Sequence, residues 1–532
     1  MSTVNLPRPA RAVASSAEEK VDFPVPLVEM LAPGGRGRLY TLSTEEASLA
    51  AERHGFRRQP TRAGYLWRNS FQGARAVHRL RLVGTSTYLL SVSDAERDDL
   101  VADGRFVDEG VMGYVAAEQR PGAERLLRFA NSYEWRVAVE SEADRLKALG
   151  YRVDGPMGWV HPEWIRAGAI YFGSWNPSSD MVIGATKTWY QRDGDWWGGV
   201  RDYYGRDPGV EPSKYNVWKD EDFSNLKPSI GYYDDSEPET LEKHITQASS
   251  AGLSFFQFYW YWNSEDRQPR PDVAIEAFKA ARNSAAMDFA VTICAHPSGD
   301  LRIPRSDHTA AAEALVGRYL NEPNYLRAND GRLIVGLCDH TGLTGDGTAG
   351  AGDVRAFVAA LRERARTDLN EEILVLSNWE MHVGTDPAVF GADGSYCGVR
   401  YDHQPSYVSY VQEMAGYFAA APRTFMRCAA SDFDERPRYP HLIQDPDKIR
   451  WYRDQTIELF RQGVGRIRTD IARSTRLSPI DNLVGFYAWN EWHEGGIIEP
   501  NVRDGCAYLD VIRSELRLTG GQGCVASGIA PS

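Results

Sequence analysis

From about residue 165 onward, short apolar runs alternate with longer amphipathic stretches, and this alternation limits the possible folds more than any other feature. Eight runs have the length and composition of buried strands. The predicted strands are Ala169–Phe172, Leu253–Phe258, Phe289–Cys294, Leu333–Leu337, Ile373–Leu376, Gly394–Val399, Arg423–Cys428 and Leu483–Tyr487. Helical periodicity lies between most of them, as at Pro238–Ser250, Val273–Ala286 and Ala351–Arg366. An α/β fold of the (β/α)8 TIM-barrel type, over residues 165–520, is therefore predicted.

A different pattern fills residues 25–163. A glycine followed by an aromatic residue recurs at Gly64–Tyr65, Gly113–Tyr114 and Gly158–Trp159, each time after a polar helical segment. Three units of about 45 residues are each too small to bury a core alone, so they should pack together. We predict a small, pseudo-threefold, mainly β repeat domain, with glycan binding and a spacer role as alternative functions. Residues 1–24 are predicted to be a disordered leader and residues 521–532 a tail.

Charge and hydropathy exclude several functions. Lys and Arg number 60 against 73 Asp and Glu, a net charge of −13, which argues against general nucleic-acid binding. No apolar stretch approaches the length of a membrane span, and the N-terminus lacks the apolar core of a secretory signal. The default expectation is a cytoplasmic protein, with export by another route as the alternative. The oligomeric state is not predicted.

The six cysteines form no CxxC pair, so zinc-ribbon and thioredoxin chemistry are not expected. Four of them lie in or beside apolar runs, where a thiol usually serves as a small buried hydrophobic group. Reduced cysteines are therefore expected. No metal and no cofactor is predicted, since no dinucleotide or phosphate-binding glycine motif is present.

The strongest functional signal follows the eighth predicted strand, in the sequence from Gly485 to Pro500. This stretch carries the carboxylates Glu491 and Glu494, together with amide, imidazole and indole side chains. Barrel enzymes hold their reacting groups at strand C-termini. Paired carboxylates of which one is kept protonated by an apolar environment are typical of glycosidic-bond chemistry. The 15 Trp and 26 Tyr also suit a carbohydrate substrate.

The stretch AWNEWHEGGIIEP resembles the hallmark of the endo-α-mannosidase family, glycoside hydrolase family 99, and of the related WbsX-like proteins labelled as glycosyltransferases. Other blocks agree in the same order: Asp195–Gly198, Gly231–Asp234, Phe258–Trp262 and Asp432–Arg438. This resemblance implies that Glu491 deprotonates the substrate's 2-hydroxyl and that Glu494 protonates the leaving oxygen. The configuration at the anomeric carbon would be retained without an enzyme nucleophile or a metal. The third strand departs from the WbsX-like pattern, and His296 stands where a Trp-Ala-Asn-Glu block is usual.

The remaining candidates for sugar binding are aromatic and polar side chains near predicted strand ends. They are Trp175, Trp197, Tyr259, Trp260, Tyr261, Trp262, His296, Trp379, Asp434, Arg436, Asn490 and His493. Side chains alternate along a strand, so one set among Tyr259–Trp262 should face the site and the other should face the helices. Asp434 and Arg436 have a local salt bridge as the alternative to substrate contact.

Three functions remain open from the sequence. The first is a retaining glycoside hydrolase that acts on a poly- or oligosaccharide. The second is a WbsX-like glycosyltransferase of polysaccharide assembly, for which no clear diphosphate site is visible. The third is a non-catalytic glycan-binding protein, against which the intact Glu491/Glu494 pair argues.

Overall fold

The computed structural model describes residues 23–59, 63–190, 194–204, 226–270, 272–297, 300–343, 350–379, 384–397, 406–438, 449–519 and 521–528. The chain forms two compact units. The first comprises Met1–Trp164 and Ala472–Asp481, and the second comprises Ile165–Ile471 and Asn482–Ser532.

The first unit is rich in β structure, as predicted. Its strands are β1 (Val25–Pro26), β2 (Val28–Leu31), β3 (Arg38–Thr41), β4 (Arg57–Arg58), β5 (Tyr65–Leu66), β6 (Ala74–Leu82), β7 (Tyr88–Ser91), β8 (Phe106–Ala116), β9 (Glu124–Ala130), β10 (Trp135–Val139) and β11 (Arg152–Val160). Its helices are α1 (Thr44–His54), α2 (Asp94–Ala102) and α3 (Ala143–Ala148). The order of two strands, a helix and a returning strand therefore recurs along the chain.

The glycine–aromatic steps join the ends of the returning strands to one another. Tyr65 pairs with His161, Trp67 with Tyr114, and Trp159 with Ala116, so each end contacts the other two. Gly158 has φ 151°, and a Cβ there would lie 2.7 Å from the carbonyl oxygen of Ala116. Only glycine permits this approach.

The polar helices of the first two repeats, α1 and α2, begin with a capping serine and carry a glutamate that reaches the next repeat. Ser43 accepts a hydrogen bond from the backbone N–H of Glu46, at the start of α1. The carboxylate of Glu46 binds the buried guanidinium of Arg79 on β6 through two bonds of 2.9 Å. Glu96 binds Arg128 in the same way, at 2.7 and 2.9 Å. Bidentate pairs of this kind fix successive repeats against each other.

The second unit contains a closed barrel of eight parallel strands, which confirms the predicted fold. They are β12 (Arg166–Tyr171), β13 (Phe255–Trp260), β16 (Asp288–Cys294), β17 (Leu333–Asp339), β18 (Ile373–Asn378), β19 (Gly394–Tyr396), β20 (Phe425–Ala430) and β21 (Leu483–Tyr487). Closure occurs because β12 pairs in parallel with both β13 and β21. Two hairpins follow strand ends, β14 (Trp262–Asn263) with β15 (Gln268–Pro269) and β22 (Asn490–Glu491) with β23 (Gly496–Ile497).

The helices of the second unit are α4 (Asp180–Tyr190), α5 (Gly198–Tyr204), α6 (Pro238–Ser250), α7 (Val273–Ala280), α8 (His308–Leu315), α9 (Ala351–Arg364), α10 (Tyr407–Ala420), α11 (Ile457–Arg473) and α12 (Ala507–Leu516). The last two residues of α11 belong to the first unit by their contacts. None of the helices in the described ranges has the length and hydropathy needed to cross a membrane.

The prediction of reduced cysteines is wrong. Disulfides join Cys294 to Cys338, Cys397 to Cys428, and Cys506 to Cys524, with Cα–Cα distances of 4.8, 5.7 and 5.9 Å. The parallel register of the barrel explains the first pair, because Cys294 on β16 lies opposite Asp339, the residue next to Cys338 on β17. Cys294 and Cys338 are 44 residues apart in sequence, so their spacing along the chain does not predict that they are neighbours in the barrel.

Three disulfides predict a defined mass and a redox-dependent stability. The purified protein should weigh about 6 Da less than its fully reduced form, two hydrogens for each bond. Reduction should lower the thermal midpoint, because each closed loop typically contributes about 2–4 kcal/mol. Intact-mass spectrometry and a melting curve with and without a phosphine reductant measure both effects. Alkylation of all six thiols in the native, unreduced protein would contradict this prediction.

Candidate active site

The chain crosses the C-terminal end of the barrel directly after β21. Asn490 and Glu491 form β22, which pairs antiparallel with Gly496 and Ile497 of β23. The short hairpin thus holds Glu491 on backbone hydrogen bonds at the rim, where barrel enzymes carry their reacting groups. The intervening turn contains Trp492, His493 and Glu494.

Asn490 attaches this hairpin to the end of the first barrel strand. Its Oδ1 accepts a 2.8 Å hydrogen bond from the backbone N–H of Phe172, and its Nδ2 donates to the carbonyl of the same residue at 3.2 Å. The indole N–H of Trp175 donates to the Asn490 carbonyl at 2.8 Å. The side chain is fully buried and occupied by these contacts, which give it a positioning role. That Asn490 binds sugar stays a prediction.

We expect Asn490→Ala to destabilise the barrel by about 2–6 kcal/mol. The substitution leaves the buried N–H and C=O of Phe172 without partners, at about 1–3 kcal/mol each. Denaturant unfolding of both proteins measures the difference. Asn263→Ala is the matched control, because that side chain serves only an exposed turn and should change stability by less than about 1 kcal/mol. Equal effects of the two substitutions would contradict the positioning role.

Glu491 is buried, with 7% of its surface exposed. Burial raises the pKa of its carboxyl to about 7, although the nearby charge of Arg438 acts in the opposite direction. Burial raises the pKa of the Tyr261 phenol, and the negative charge of Glu491 raises it further. Tyr261 is therefore near enough to this carboxyl to be affected by its charge. A carboxyl that titrates near neutrality is suited to proton transfer.

Glu494 is held by a different set of contacts. One carboxylate oxygen forms an ion pair with the Arg438 guanidinium, and the other accepts a hydrogen bond from the Tyr487 hydroxyl. Its backbone N–H donates to the Glu491 carbonyl at 3.0 Å, and its own carbonyl accepts from the Asp434 N–H at 2.7 Å. Two donors on one carboxylate favour its ionised form.

Gly496 allows Tyr487 to reach Glu494. A Cβ on Gly496 would lie 2.5 Å from Cε1 of the Tyr487 ring, so any side chain there would displace the phenol. The glycine of the E-x-x-E-G-G stretch therefore acts on the geometry of the site through packing.

His493 lies between the two glutamates in sequence and is also buried. Burial lowers the pKa of its imidazole to about 3, with a further contribution from the positive charge of Arg438. The ring is therefore neutral at physiological pH and can donate or accept a hydrogen bond. It packs against the Trp175 ring with centroids 5.1 Å apart.

Trp175 and Trp197 form the wall behind His493. Their rings stack at 4.2 Å with an interplanar angle of 15°, and both are almost fully buried. The indole N–H of Trp197 donates to the Tyr233 carbonyl at 2.6 Å. In this state the two rings support the site through His493, and direct sugar contact stays a prediction.

A buried polar network lies beneath this wall. The Glu499 carboxylate accepts hydrogen bonds from Trp492 Nε1 and, at 2.9 Å, from the Tyr233 hydroxyl. His244 Nε2 lies 3.3 Å from the other oxygen of Glu499. Glu499 is the third carboxylate of the motif, and its hydrogen bond holds the Trp492 indole in place. None of these contacts joins it to Glu491 or Glu494.

The aromatic run at the end of β13 separates into two faces, as alternation requires. Trp260 and Trp262 are each only 1% exposed, and Trp262 Nε1 donates to Asp307 at 3.1 Å. Tyr259 and Tyr261 remain partly exposed. The tyrosines therefore lie on the more open face of this run, and the two tryptophans pack in the interior. Sugar contact by any of the four side chains stays a prediction.

The other predicted residues occupy varied positions. Asp434 and Arg436 form a buried bidentate salt bridge with both bonds at 2.8 Å, the local alternative to substrate contact. His296 is exposed after β16, and Trp379 is buried after β18. Sugar binding by these side chains stays a prediction.

Two residues of the site were missed by the sequence analysis. Arg438 lies in the D-x-R-P-R stretch, in which the sequence predicts only Asp434 and Arg436 as site residues, and Tyr487 is the last residue of a predicted strand. The basic residue following Arg-Pro was a usable signal for the first. The contact of Tyr487 with Glu494 depends on the geometry of the turn after β21, and no local sequence pattern predicts that geometry.

Comparison with known proteins connects this site to a family. Residues 351–512 match the family model described as glycosyltransferase WbsX. The barrel half that carries the glutamates is WbsX-like. Residues 26–161 match a domain of unknown function, DUF5648. The WbsX match supports a carbohydrate-active enzyme and does not separate hydrolysis from transfer.

Two curated relatives are the uncharacterized protein WxcX from two strains of Xanthomonas campestris pv. campestris. Each is 25% identical over 316 residues, which are 55% of this chain and 43% of the relative. This match therefore spans less than half the length of those relatives.

Solved structures similar to this chain include the GH99 endo-alpha-mannosidase from Bacteroides thetaiotaomicron. It is 16% identical with a TM-score of 0.43, over 66% of this chain and 97% of that one. A glycoside hydrolase-like protein is 13% identical with a TM-score of 0.42, over 66% and 94%. Likeness at this level concerns the fold alone.

Proposed function

We propose that the barrel hydrolyses O-glycosidic bonds of a poly- or oligosaccharide with retention of configuration, using the substrate's own 2-hydroxyl. The observation that carries the proposal is the arrangement around Arg438. Its guanidinium binds Glu494 and acts electrostatically on Glu491 and His493, so these side chains of the eighth strand end share one site.

In this mechanism Glu491 is the base. With a pKa of about 7 its carboxylate is a stronger base than an ordinary glutamate. It takes the proton of the 2-hydroxyl, whose oxygen attacks the anomeric carbon while the bond to the leaving oxygen breaks. Glu494 gives a proton to that oxygen. In the second half of the reaction Glu494 takes a proton from water, which opens the ring intermediate, and Glu491 returns its proton to the 2-oxygen.

The contact between Arg438 and Glu494 imposes a condition on this scheme. An ion pair keeps Glu494 ionised, so the acid role requires substrate to separate the two side chains. The Arg438 side chain is 41% exposed, and the scheme requires it to leave Glu494 when substrate binds. The same contact supports a second assignment, in which Glu494 is an ionised nucleophile and Glu491 is the protonated acid.

We expect a substrate whose 2-hydroxyl is replaced by fluorine to bind without turnover and without attachment to the protein. The neighbouring-group route lacks its nucleophile in such a molecule. Intact-mass spectrometry after incubation is the measurement, with the 2-hydroxy parent as control. A stable adduct on Glu494 would establish the second assignment, and an adduct on Glu491 would make that residue the nucleophile. NMR of the fresh anomer must show retention, because an inverted product contradicts both assignments.

The runner-up function is transfer of a sugar to an acceptor glycan, which the name of the matched WbsX family supports. Incubation with sugar nucleotides plus acceptor, in parallel with polysaccharide in water, distinguishes the two. Consumption of the sugar nucleotide with growth of the acceptor would replace the hydrolase proposal. Binding without any product would favour the third function, a glycan-binding protein.

We also propose that the protein works in an oxidising compartment, reached by export, rather than in the cytoplasm. All six cysteines are paired, and disulfides of this kind persist mainly outside the reducing cytosol. Trapping thiols in the natural host before lysis tests this, and recovery of six alkylated cysteines would overturn it.

A further inference from the structure

The joined strand ends of the first unit present aromatic side chains on one side. Leu66, Val115 and Val160 point into the hydrophobic core of this domain. Because strand side chains alternate, the residues on either side of them point away from that core. Those residues include Tyr65, Trp67, Tyr114, Trp159 and His161, here called the aromatic face.

The aromatic face continues onto the neighbouring loops. The ring of Trp67 lies 4.9 Å from Phe71 and 5.8 Å from His161, and His161 lies 4.6 Å from Trp164, all measured between centroids. Trp67 and His161 are buried by these contacts. The other aromatic residues, including Tyr114 and Trp159, are partly exposed. The exposed part is thus a set of ring faces and edges on a rigid β framework.

Two arginines lie against these rings. The guanidinium carbon of Arg120 is 4.2 Å from the Phe71 centroid and 5.5 Å from that of Trp67. The guanidinium carbon of Arg125 is 5.4 Å from the Trp159 centroid. Stacking on an aromatic ring holds an arginine in place while other N–H groups of its edge stay available to donate. Arg120 already uses Nη2 for a 3.5 Å hydrogen bond to the Gln72 carbonyl.

These arginines differ from the arginines that join the repeats. Arg79, Arg128 and Arg136 each bind a glutamate through two hydrogen bonds. Within the part of the chain that the structure describes, no carboxylate forms a salt bridge with Arg120 or Arg125. Arg36 is likewise without a carboxylate salt bridge among the described residues, so this lack alone does not mark a site. Arg120 and Arg125 differ from Arg36 because both lie against rings of the aromatic face and its neighbouring loops, in a protein whose net charge is −13.

We propose that the aromatic face of the first unit binds an anionic glycan. Sugar rings lie against the exposed faces of Tyr114 and Trp159, and their carboxylate or sulfate groups accept hydrogen bonds from Arg120 and Arg125. Aromatic rings match the C–H faces of pyranoses, and a guanidinium matches the geometry of a planar carboxylate. A neutral glycan would leave both arginines without counter-charge.

Affinity electrophoresis of the full chain in gels containing polygalacturonate or unsubstituted dextran tests the proposal. Wild type should be retarded by polygalacturonate and not by dextran. Arg120→Gln with Arg125→Gln should weaken the apparent Kd at least about tenfold, the loss of one charge-assisted hydrogen bond or more. Trp159→Ala should also weaken binding, and circular dichroism verifies that each variant is folded.

Arg36 and Tyr133 provide the matched control, since they form another arginine–aromatic pair, at 4.9 Å, with Tyr133 67% exposed. Arg36→Gln with Tyr133→Ala should bind like wild type. The proposal is overturned if wild type is not retarded, if both polymers retard it equally, or if the control pair loses as much affinity as Arg120 and Arg125. It is also overturned if only Glu491→Gln with Glu494→Gln removes retardation, because the barrel is then the binding site.

Discussion

Glu494→Gln should lower kcat/KM for substrates with poor leaving groups by about 10²–10⁴-fold, the usual contribution of a general acid. The amide keeps the size of the side chain, its oxygen can still accept a hydrogen bond from Arg438, and its NH2 group can donate to the Tyr487 hydroxyl. The fold and the pocket are therefore preserved, while protonation of the departing oxygen is lost.

The leaving group provides the control for this prediction. An aryl glycoside with a strongly acidic phenol departs without protonation, so Glu494→Gln should impair its first step far less. A plot of log kcat/KM against the leaving-group pKa should be steep for the variant and shallow for wild type. Equal losses on both kinds of substrate would contradict the acid role, and would favour Glu494 as the nucleophile.

Tyr487→Phe separates the carboxyl from one of its partners. The substitution removes only the phenol hydroxyl that binds Glu494, and the ring continues to pack against Gly496. For substrates with poor leaving groups, the kcat/KM of Tyr487→Phe should lie between the values of wild type and Glu494→Gln. Substrates with good leaving groups should be affected far less. This comparison tests whether a residue invisible to sequence reasoning belongs to the site.

The fold could be predicted from sequence because its signal is local. Each barrel strand is a short apolar run, and Leu483–Tyr487 was predicted with the bounds that the structure has. The helix Pro238–Ser250 likewise begins at a proline, which is favoured in the first turn, and follows a 3.6-residue periodicity. The paired glutamates could be found for the same reason, since strand end and motif are adjacent in the chain.

Features set by long-range contacts could not be predicted. The disulfide between Cys397 and Cys428 depends on which strands become neighbours. Residues Ala472–Asp481 lie between a barrel helix and the last barrel strand, yet they pack in the first unit, where Arg58 forms a salt bridge with Asp481 at 3.3 Å. No periodicity within a ten-residue segment shows such a partner.

Glu491 should control the pH dependence of the reaction in a direction that identifies its role. Because burial raises its pKa to about 7, a base at this position is active only as the pH rises through that value. With an activated aryl glycoside, kcat/KM should fall about tenfold for each pH unit below about 7, since the protonated fraction then dominates. If Glu491 is instead the acid, activity on substrates with poor leaving groups should fall above that pH.

The fall of kcat/KM at low pH is the acidic limb of the pH profile. Arg438→Ala should move this limb to higher pH. Burial raises the pKa of Glu491, and the positive charge of Arg438 lowers it by a smaller amount. Removal of the guanidinium should therefore raise the pKa of Glu491. The value of kcat/KM reports the free enzyme, which is the state in which Arg438 faces Glu491. An activated leaving group is essential, because the loss of the Arg438–Glu494 ion pair then has little influence on the first step. Arg450→Ala is the matched control: that guanidinium binds Glu435 at 2.8 and 2.9 Å and should leave the limb in place. A limb that stays fixed in Arg438→Ala, or that moves to lower pH, would show that another group titrates.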